Sequence, residues 1–119
     1  MTTTDQIRGY HAHVYFDAST RDVATALREA IVAQFTVDIG RVHDRPIGPH
    51  SQPSFQVKFG SDVLGTIMPW LILNRSGLNI LVHPCTDDDI ADHKDRPVWI
   101  GSEVPLNHEF IARYVAAKR

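Results

Sequence analysis

Two histidines stand two positions apart in the stretch YHAHVYFD, residues 10–17, among aromatic, β-branched and small residues. Imidazole is the side chain that changes charge near neutral pH and, when neutral, offers a lone pair to a proton or a metal ion. Five further histidines, at positions 43, 50, 83, 93 and 108, make seven in 119 residues. No low-complexity tract or internal repeat accounts for them. On a strand, residues two apart point to one side about 7 Å apart, so His11 and His13 can both reach one ion.

For the other rings to join them, the surrounding elements must carry them to one place. In YHAHVYF the alternation puts Ala12, Val14 and Phe16 on one face and His11, His13 and Tyr15 on the other, the mark of a half-buried strand. A helix over 19–35 follows, with Ser19 and Asp22 as a capping pair and Val23, Ala24, Leu27, Ile31 and Phe35 inward. Residues 36–43 read as a second strand, the turn-rich DRPIGPHSQP as a loop, and SFQVKF as a third strand with Phe55, Val57 and Phe59 on one face. Ser61 reads as the cap of a second helix carrying Val63, Leu64, Ile67, Met68, Leu71 and Ile72 inward, which Pro69 should kink or restart. RSG stops it, and LNILVHP is a fourth strand with Leu78, Ile80 and Val82 toward the helices and His83 away from them. CTDDDIADHKDRP reads as a polar functional loop, and PLNHEFIARYVAAK as a third helix with Leu106, Phe110, Ile111 and Tyr114 as its stripe.

The order β-α-β-β-α-β predicts an α+β domain over residues 1–119: a ferredoxin-like antiparallel sheet of order 4-1-3-2, with right-handed crossovers, two helices on one face and a C-terminal helix added. Strand 4 is expected antiparallel to strand 1, and strand 3 parallel to it. His11 then neighbours His83 and the loop holding His50, and His43 arrives at the same edge. Convergence of imidazoles from separate segments is a stronger signal than their number, and points to a metal site on the face away from the helices. Imidazole suits iron, zinc, copper and nickel; there is no CxxC element for a thiolate site and no carboxylate cage for calcium or magnesium. A mononuclear Fe(II) or Zn(II) centre follows.

Composition excludes several other classes. Twelve Lys and Arg against fourteen Asp and Glu give a net charge of -2, no electrostatic case for nucleic acid or an anionic membrane. IMPWLIL is too short to span a bilayer, MTTTDQIRG has no leader-like apolar core, and a single cysteine, Cys85, agrees with a reducing compartment, so a cytoplasmic protein is expected.

Four ordered blocks, YHAHVYFD, GPH, LNILVHPCTDDD and ADHKDRPVWIG, resemble the small DOPA 4,5-dioxygenase family of fungi and bacteria, over roughly residues 9–116. The resemblance implies an extradiol dioxygenase: non-haem Fe(II), O₂ and a catechol such as DOPA, cleaved beside its hydroxyl pair to a ring-opened semialdehyde. It makes His11, His13, His50 and His83 the metal candidates, without deciding which three bind. His93 and Trp99 become pocket elements. Two departures are local: GPHSQP delays the proline that follows GPH in the family, and Cys85 replaces an asparagine.

The catechol would bind through both oxygens, leaving a position for O₂. A base is needed for its phenolic proton, either His93 or whichever of His11 and His13 is not a ligand. Tyr15 is a candidate substrate contact or a cover for the sheet, and Trp99 a pocket wall or a core residue. Asp87, Asp88 and Asp89 read as a solvated turn, one of which could orient a ligand imidazole. His43 reads as a rim residue and His108 as surface. The competing reading is a metal- or small-ligand-binding module on the same sheet without ring cleavage, since no motif supplies the carboxylate of a two-histidine-one-carboxylate iron site. The uncovered sheet face, with Leu81 on it, has to be covered by the C-terminal helix or by another subunit, and a homodimer is expected.

Overall fold

Alternation along the first strand divides the molecule into two faces, one built to be dry and one to carry polar side chains. The computed structural model of the chain describes residues 6–118; the first five residues of the N-terminal stretch read for a leader lie outside them. The elements are β1 Gly9–Tyr15, α1 Arg21–Gln34, β2 Asp38–Ile39, β3 Ser54–Phe59, α2 Ser61–Asn74, β4 Ile80–Cys85, α3 Asp89–Lys94, β5 Val98–Ile100 and α4 His108–Ala117. Ala12 and Val14 of β1, Phe55, Val57 and Phe59 of β3, Ile80 and Val82 of β4, and Ile100 of β5 all face one side. There they meet Ala24, Leu27 and Ile31 of α1 and Ile67 and Leu71 of α2 in one continuous core. Burial of these side chains, worth about 1.5–3 kcal/mol for each large one, holds the sheet to the helices.

The sheet is antiparallel throughout and runs β2-β3-β1-β4-β5, so it differs from the four-stranded ferredoxin-like order by a fifth strand beyond β4. The expectation that strand 3 lies parallel to strand 1 is wrong: β3 is antiparallel to β1, from Tyr10↔Phe59 to Tyr15↔Ser54. Since β3 is also antiparallel to β2, β1 and β2 run the same way, and the strand inserted between them must oppose both. The consequence is positional. The loop before β3 arrives at the Tyr15 end of β1.

β2 keeps only two ladder residues of the eight expected, followed by a separate bridge His43↔Ser54. Val37 and Ile39 hold the period of two, but the next core contact is Val42, one residue out of phase, so the ladder cannot continue with its apolar residues inward. At α1 the Ser19–Asp22 capping pair does not form. Thr20 is the cap, and the Asp17 carboxylate accepts from the backbone N–H groups of Ser19 and Thr20 instead. Val23, expected inward, is 39% exposed.

α2 passes through Pro69 without ending. Pro69 and the residue four before it, Gly65, are both exposed, so the carbonyl that loses its hydrogen bond meets water. Ile72, expected inward, is 56% exposed. The helix stops where Ser76 and Gly77 adopt φ of 56° and 79°. The polar stretch after β4 is more ordered than expected. It forms α3, capped by the Asp88 side chain accepting from Ala91 N–H, and then β5.

On the other sheet face Tyr15, Leu81 and Val104 form a second cluster with Trp99 and Leu106. Leu81 is fully buried there, under the chain's own segment between β5 and α4, which removes the reason for expecting a second subunit to cover it. No helix among the described residues is long and apolar enough to cross a membrane.

Candidate metal centre

The outward positions of β1 and β4 carry the chemistry. His11 lies directly across the ladder from His83, and His13 is two residues along β1 on the same face. Ligand-capable nitrogens of His11, His13 and His83 lie within 4.8 Å of one another. The Nε2 atoms of His13 and His83 are 3.2 Å apart. His83 Nδ1–H donates to the Pro84 carbonyl at 2.9 Å, so the neutral ring keeps its lone pair on Nε2, toward His13.

Burial, then the fields of His50 and His83, holds the His13 imidazole well below its ordinary range. Burial pushes His83 down to about 4 despite the Pro84 hydrogen bond, and His50 to about 4, with neighbouring imidazoles adding to both. His11 is lowered by burial and then by Lys58. At neutral pH these rings are uncharged, the state a metal requires of its histidine ligands. Two nitrogens each about 2.1 Å from an ion and separated as in the His13–His83 pair subtend about 100°, inside the tetrahedral-to-octahedral range. The His13–His83 pair therefore fits a first-row divalent ion, and His11, within 4.8 Å of both, offers a third neutral imidazole.

Two further histidines flank this set. The fourth metal candidate, His50, packs its ring 4.2 Å from that of His13, and its Nδ1 is 2.7 Å from the Tyr15 hydroxyl. Tyr15 is 1% exposed, and burial raises its pKa, so the phenol keeps its proton. That O–H has no other acceptor among the described residues; it donates to His50 Nδ1, leaving the His50 proton on Nε2. His93, on α3, sits 4.3 Å ring to ring from His83, and its Nδ1–H donates to the Asp89 carbonyl at 2.7 Å. Its Nε2 lone pair is left free. The two flanking rings thus present opposite faces of acid-base chemistry, one a donor and one an acceptor.

A cavity of about 530 Å³ opens over these five rings, with Pro49, Phe110, Ile111 and Tyr114 forming its apolar wall. Such a volume, with an apolar wall facing a floor of imidazoles and a polar rim, suits a small aromatic molecule with polar substituents. Cys85 also lines it, its thiol pushed up by burial and so protonated. The delayed proline of GPHSQP leaves room for Ser51, whose hydroxyl donates to the Pro105 carbonyl at 2.6 Å and ties the His50 loop to the segment before α4.

Other expected residues stand elsewhere. Tyr15 does not line the cavity; it reaches it only through His50. Trp99 stacks on Tyr15 with ring centres 6.1 Å apart and lines a smaller space of about 190 Å³, shared with His93 and His108. His43 lines a side pocket of about 230 Å³ behind His13 and His50. No carboxylate of the DDD run meets an imidazole: Asp87 pairs with Arg8, Asp88 caps α3, and Asp89 pairs with Lys118.

Sequence reasoning missed Asp92. It is 1% exposed and accepts from Thr86 N–H at 2.7 Å, Thr86 Oγ1 at 2.8 Å and Arg96 Nη1 at 3.0 Å. It fastens α3, and hence His93, to the end of β4. The spacing that could have revealed it is Asp92 to Arg96, four apart on a helix.

The sequence model of the Dopa 4,5-dioxygenase family matches residues 10–110. A DOPA 4,5-dioxygenase of Amanita muscaria is 35% identical over 111 residues, covering 86% of this chain and 49% of that protein. An uncharacterized protein of Botryotinia fuckeliana is 34% identical, covering 90% of this chain and 66% of its own length. The chain thus spans between half and two thirds of these relatives. A crystal structure from Nostoc punctiforme, provisionally assigned as a dioxygenase, superposes with a TM-score of 0.92 at 47% identity, covering 96% of this chain and 99% of that one.

Proposed function

Since the chain belongs to the Dopa 4,5-dioxygenase family, we propose that it is an extradiol dioxygenase. It would open the ring of a catechol beside its hydroxyl pair, with Fe(II) held by His11, His13 and His83. The observation that carries this reading is the set of three neutral imidazoles within 4.8 Å, at the floor of a cavity with an aromatic and aliphatic wall. Three protein ligands would leave an iron ion accessible to the catechol oxygens and to O₂. Iron(II), when bound, supplies Lewis acidity toward the hydroxyls and the redox capacity to use O₂.

The chain's own residues do the rest. His93 Nε2, with its lone pair free, accepts a hydroxyl proton from the incoming catechol. His50 Nε2–H, held in place by Tyr15, donates a hydrogen bond to oxygen as negative charge develops on the other side of the site. Phe110, Ile111 and Tyr114 cover the ring and keep water from the reacting carbons. One C–C bond breaks and each cut carbon gains one atom of O₂: the hydroxyl-bearing carbon, keeping its own oxygen, becomes the carboxylate, and the other becomes the aldehyde.

A second reading, a zinc-holding module without turnover, is favoured by the absence of a carboxylate from the ligand set among the described residues. Anaerobic loading with Fe(II), followed by a catechol panel read by oxygen uptake and by a yellow product, separates the two. Uptake with one O₂ per catechol supports ring cleavage. Stoichiometric iron with no oxygen consumed, beside tight zinc retention, supports the module.

A further inference from the structure

The charges around the cavity are paired, with one exception. Arg8 holds Asp87 at 2.7 Å, Arg96 holds Asp92 at 3.0 Å and Lys118 holds Asp89 at 3.2 Å. Lys58 also lines the cavity, and it has no ion-pair partner among the described residues. Its place is fixed by the ladder: Lys58 is directly opposite His11 on β3, while His83 is directly opposite His11 on β4. Lys58 and His83 therefore flank the same residue, with backbones about 10 Å apart across two strand spacings. Measured from His83, that breadth is enough for an aromatic ring and a short chain lying past His11, which is itself only one strand spacing from the lysine.

The field is positive on the Lys58 side of the cavity: at His11 the lysine outweighs each of Asp89 and Asp92, which act against it, and Asp38 stands across the ladder from Lys58 without pairing to it. The three candidate ligands are neutral, so the charge of a bound divalent ion is not offset by a carboxylate, and Lys58 adds to it. The influence of Lys58 on His11 shows that its charge is felt at the centre. An ammonium group on a substrate would meet two positive charges on this side of the cavity, and a carboxylate would meet a donor held in no ion pair among the described residues.

We propose that Lys58 is the specificity-determining residue of the site, selecting catechols that carry a carboxylate on a short chain over uncharged or amine-bearing ones. The assignment rests on the ring-cleaving reading above, and the lysine would act by a charge-assisted hydrogen bond at the far end of the substrate.

The test compares 3-(3,4-dihydroxyphenyl)propionate, 4-methylcatechol and dopamine on the full chain. With the iron-loaded protein, kcat/KM should favour the carboxylate over 4-methylcatechol. Lys58→Met should shrink that ratio by roughly ten- to a hundredfold, the effect of losing one hydrogen bond to a charged group. Lys58→Arg should keep most of it, and Lys58→Glu should move the preference to dopamine. In parallel, calorimetric affinities of the zinc-loaded protein for the same three compounds should show the same ratios without turnover. A ratio unchanged within twofold in Lys58→Met, in both measurements, overturns the proposal. If no catechol is consumed but the zinc-loaded affinities follow the charge of residue 58, ring cleavage fails and the role of Lys58 stands.

Discussion

Acid should unfold the metal-free protein in a window set by its imidazoles. His50 and His83 each fall to about 4 in the folded chain, through burial first and neighbouring rings second; in the unfolded chain each returns to about 6.5. Between those values the unfolded chain binds protons that the folded chain refuses. Stability then rises with pH: it is fully present above about 6.5, falls progressively toward 4 and changes no further from this source below. One imidazole displaced this far is worth about 3 kcal/mol over the whole window and about 2 kcal/mol at pH 5. His13 moves in the same direction, so the cluster loses more than one ring alone. Against a typical domain stability of about 5–15 kcal/mol this is a large share. Guanidinium unfolding followed by circular dichroism at pH 7.5, 6 and 5, with chelator present, measures it. The slope of stability against pH counts the protons, and more than one is expected. His83→Gln removes one titrating ring and should lower the slope by about one proton. Equal stability at pH 7.5 and pH 5, or an unchanged slope in His83→Gln, would refute the reasoning.

Three other perturbations divide the site into parts. His11→Ala, His13→Ala and His83→Ala should each lose metal in dialysis and elemental analysis, by more than the roughly 10–100-fold that losing a supporting hydrogen bond costs; His50→Ala and His93→Ala should keep the metal and lose oxygen uptake. Asp92→Asn leaves Thr86 and Arg96 short of an acceptor and should cost about 2–3 kcal/mol in guanidinium unfolding, with kcat reduced further than metal content. Tyr15→Phe removes the donor to His50 Nδ1 and should cost about 1–2 kcal/mol. Its metal content should be unchanged and its pH–rate profile displaced, because His50 is then free to carry its proton on either nitrogen.

The dry face of the sheet was readable because it needs only alternation: Ala12 and Val14, Phe55 and Val57, Ile80 and Val82 each fall on the core side as their spacing requires. Where a different rule governs, the reading failed. α2 is apolar on nearly every side, so nothing in its pattern says that Ile72 and Leu73 face solvent while Ile67 and Leu71 are buried. β5 is three residues long, below the length at which a period can be counted, though Pro97 and Gly101 bracket a β-branched and aromatic run. α3 hides in an acidic stretch that resembles a solvated loop. Its Asp88 cap, acidic first turn and basic last turn were the available signals.

The direction of β3 decided what the sequence left open, namely which imidazoles come within reach of one another. A parallel β3 would have delivered His50 beside His11. The antiparallel β3 delivers it beside His13 and Tyr15, where its Nδ1 is already engaged by the phenol. The four candidate ligands therefore separate into three and one for a topological reason. The three that cluster all come from β1 and β4, whose ladder sets His11 opposite His83 and leaves little freedom for the ligand nitrogens to drift. The two rings with free donor and acceptor atoms come from a loop and a short helix, each held by a few hydrogen bonds. Loops and short helices shift more easily than a central ladder. Substitutions that loosen them, such as Asp92→Asn or Tyr15→Phe, should therefore reach the proton transfers well before they reach the metal.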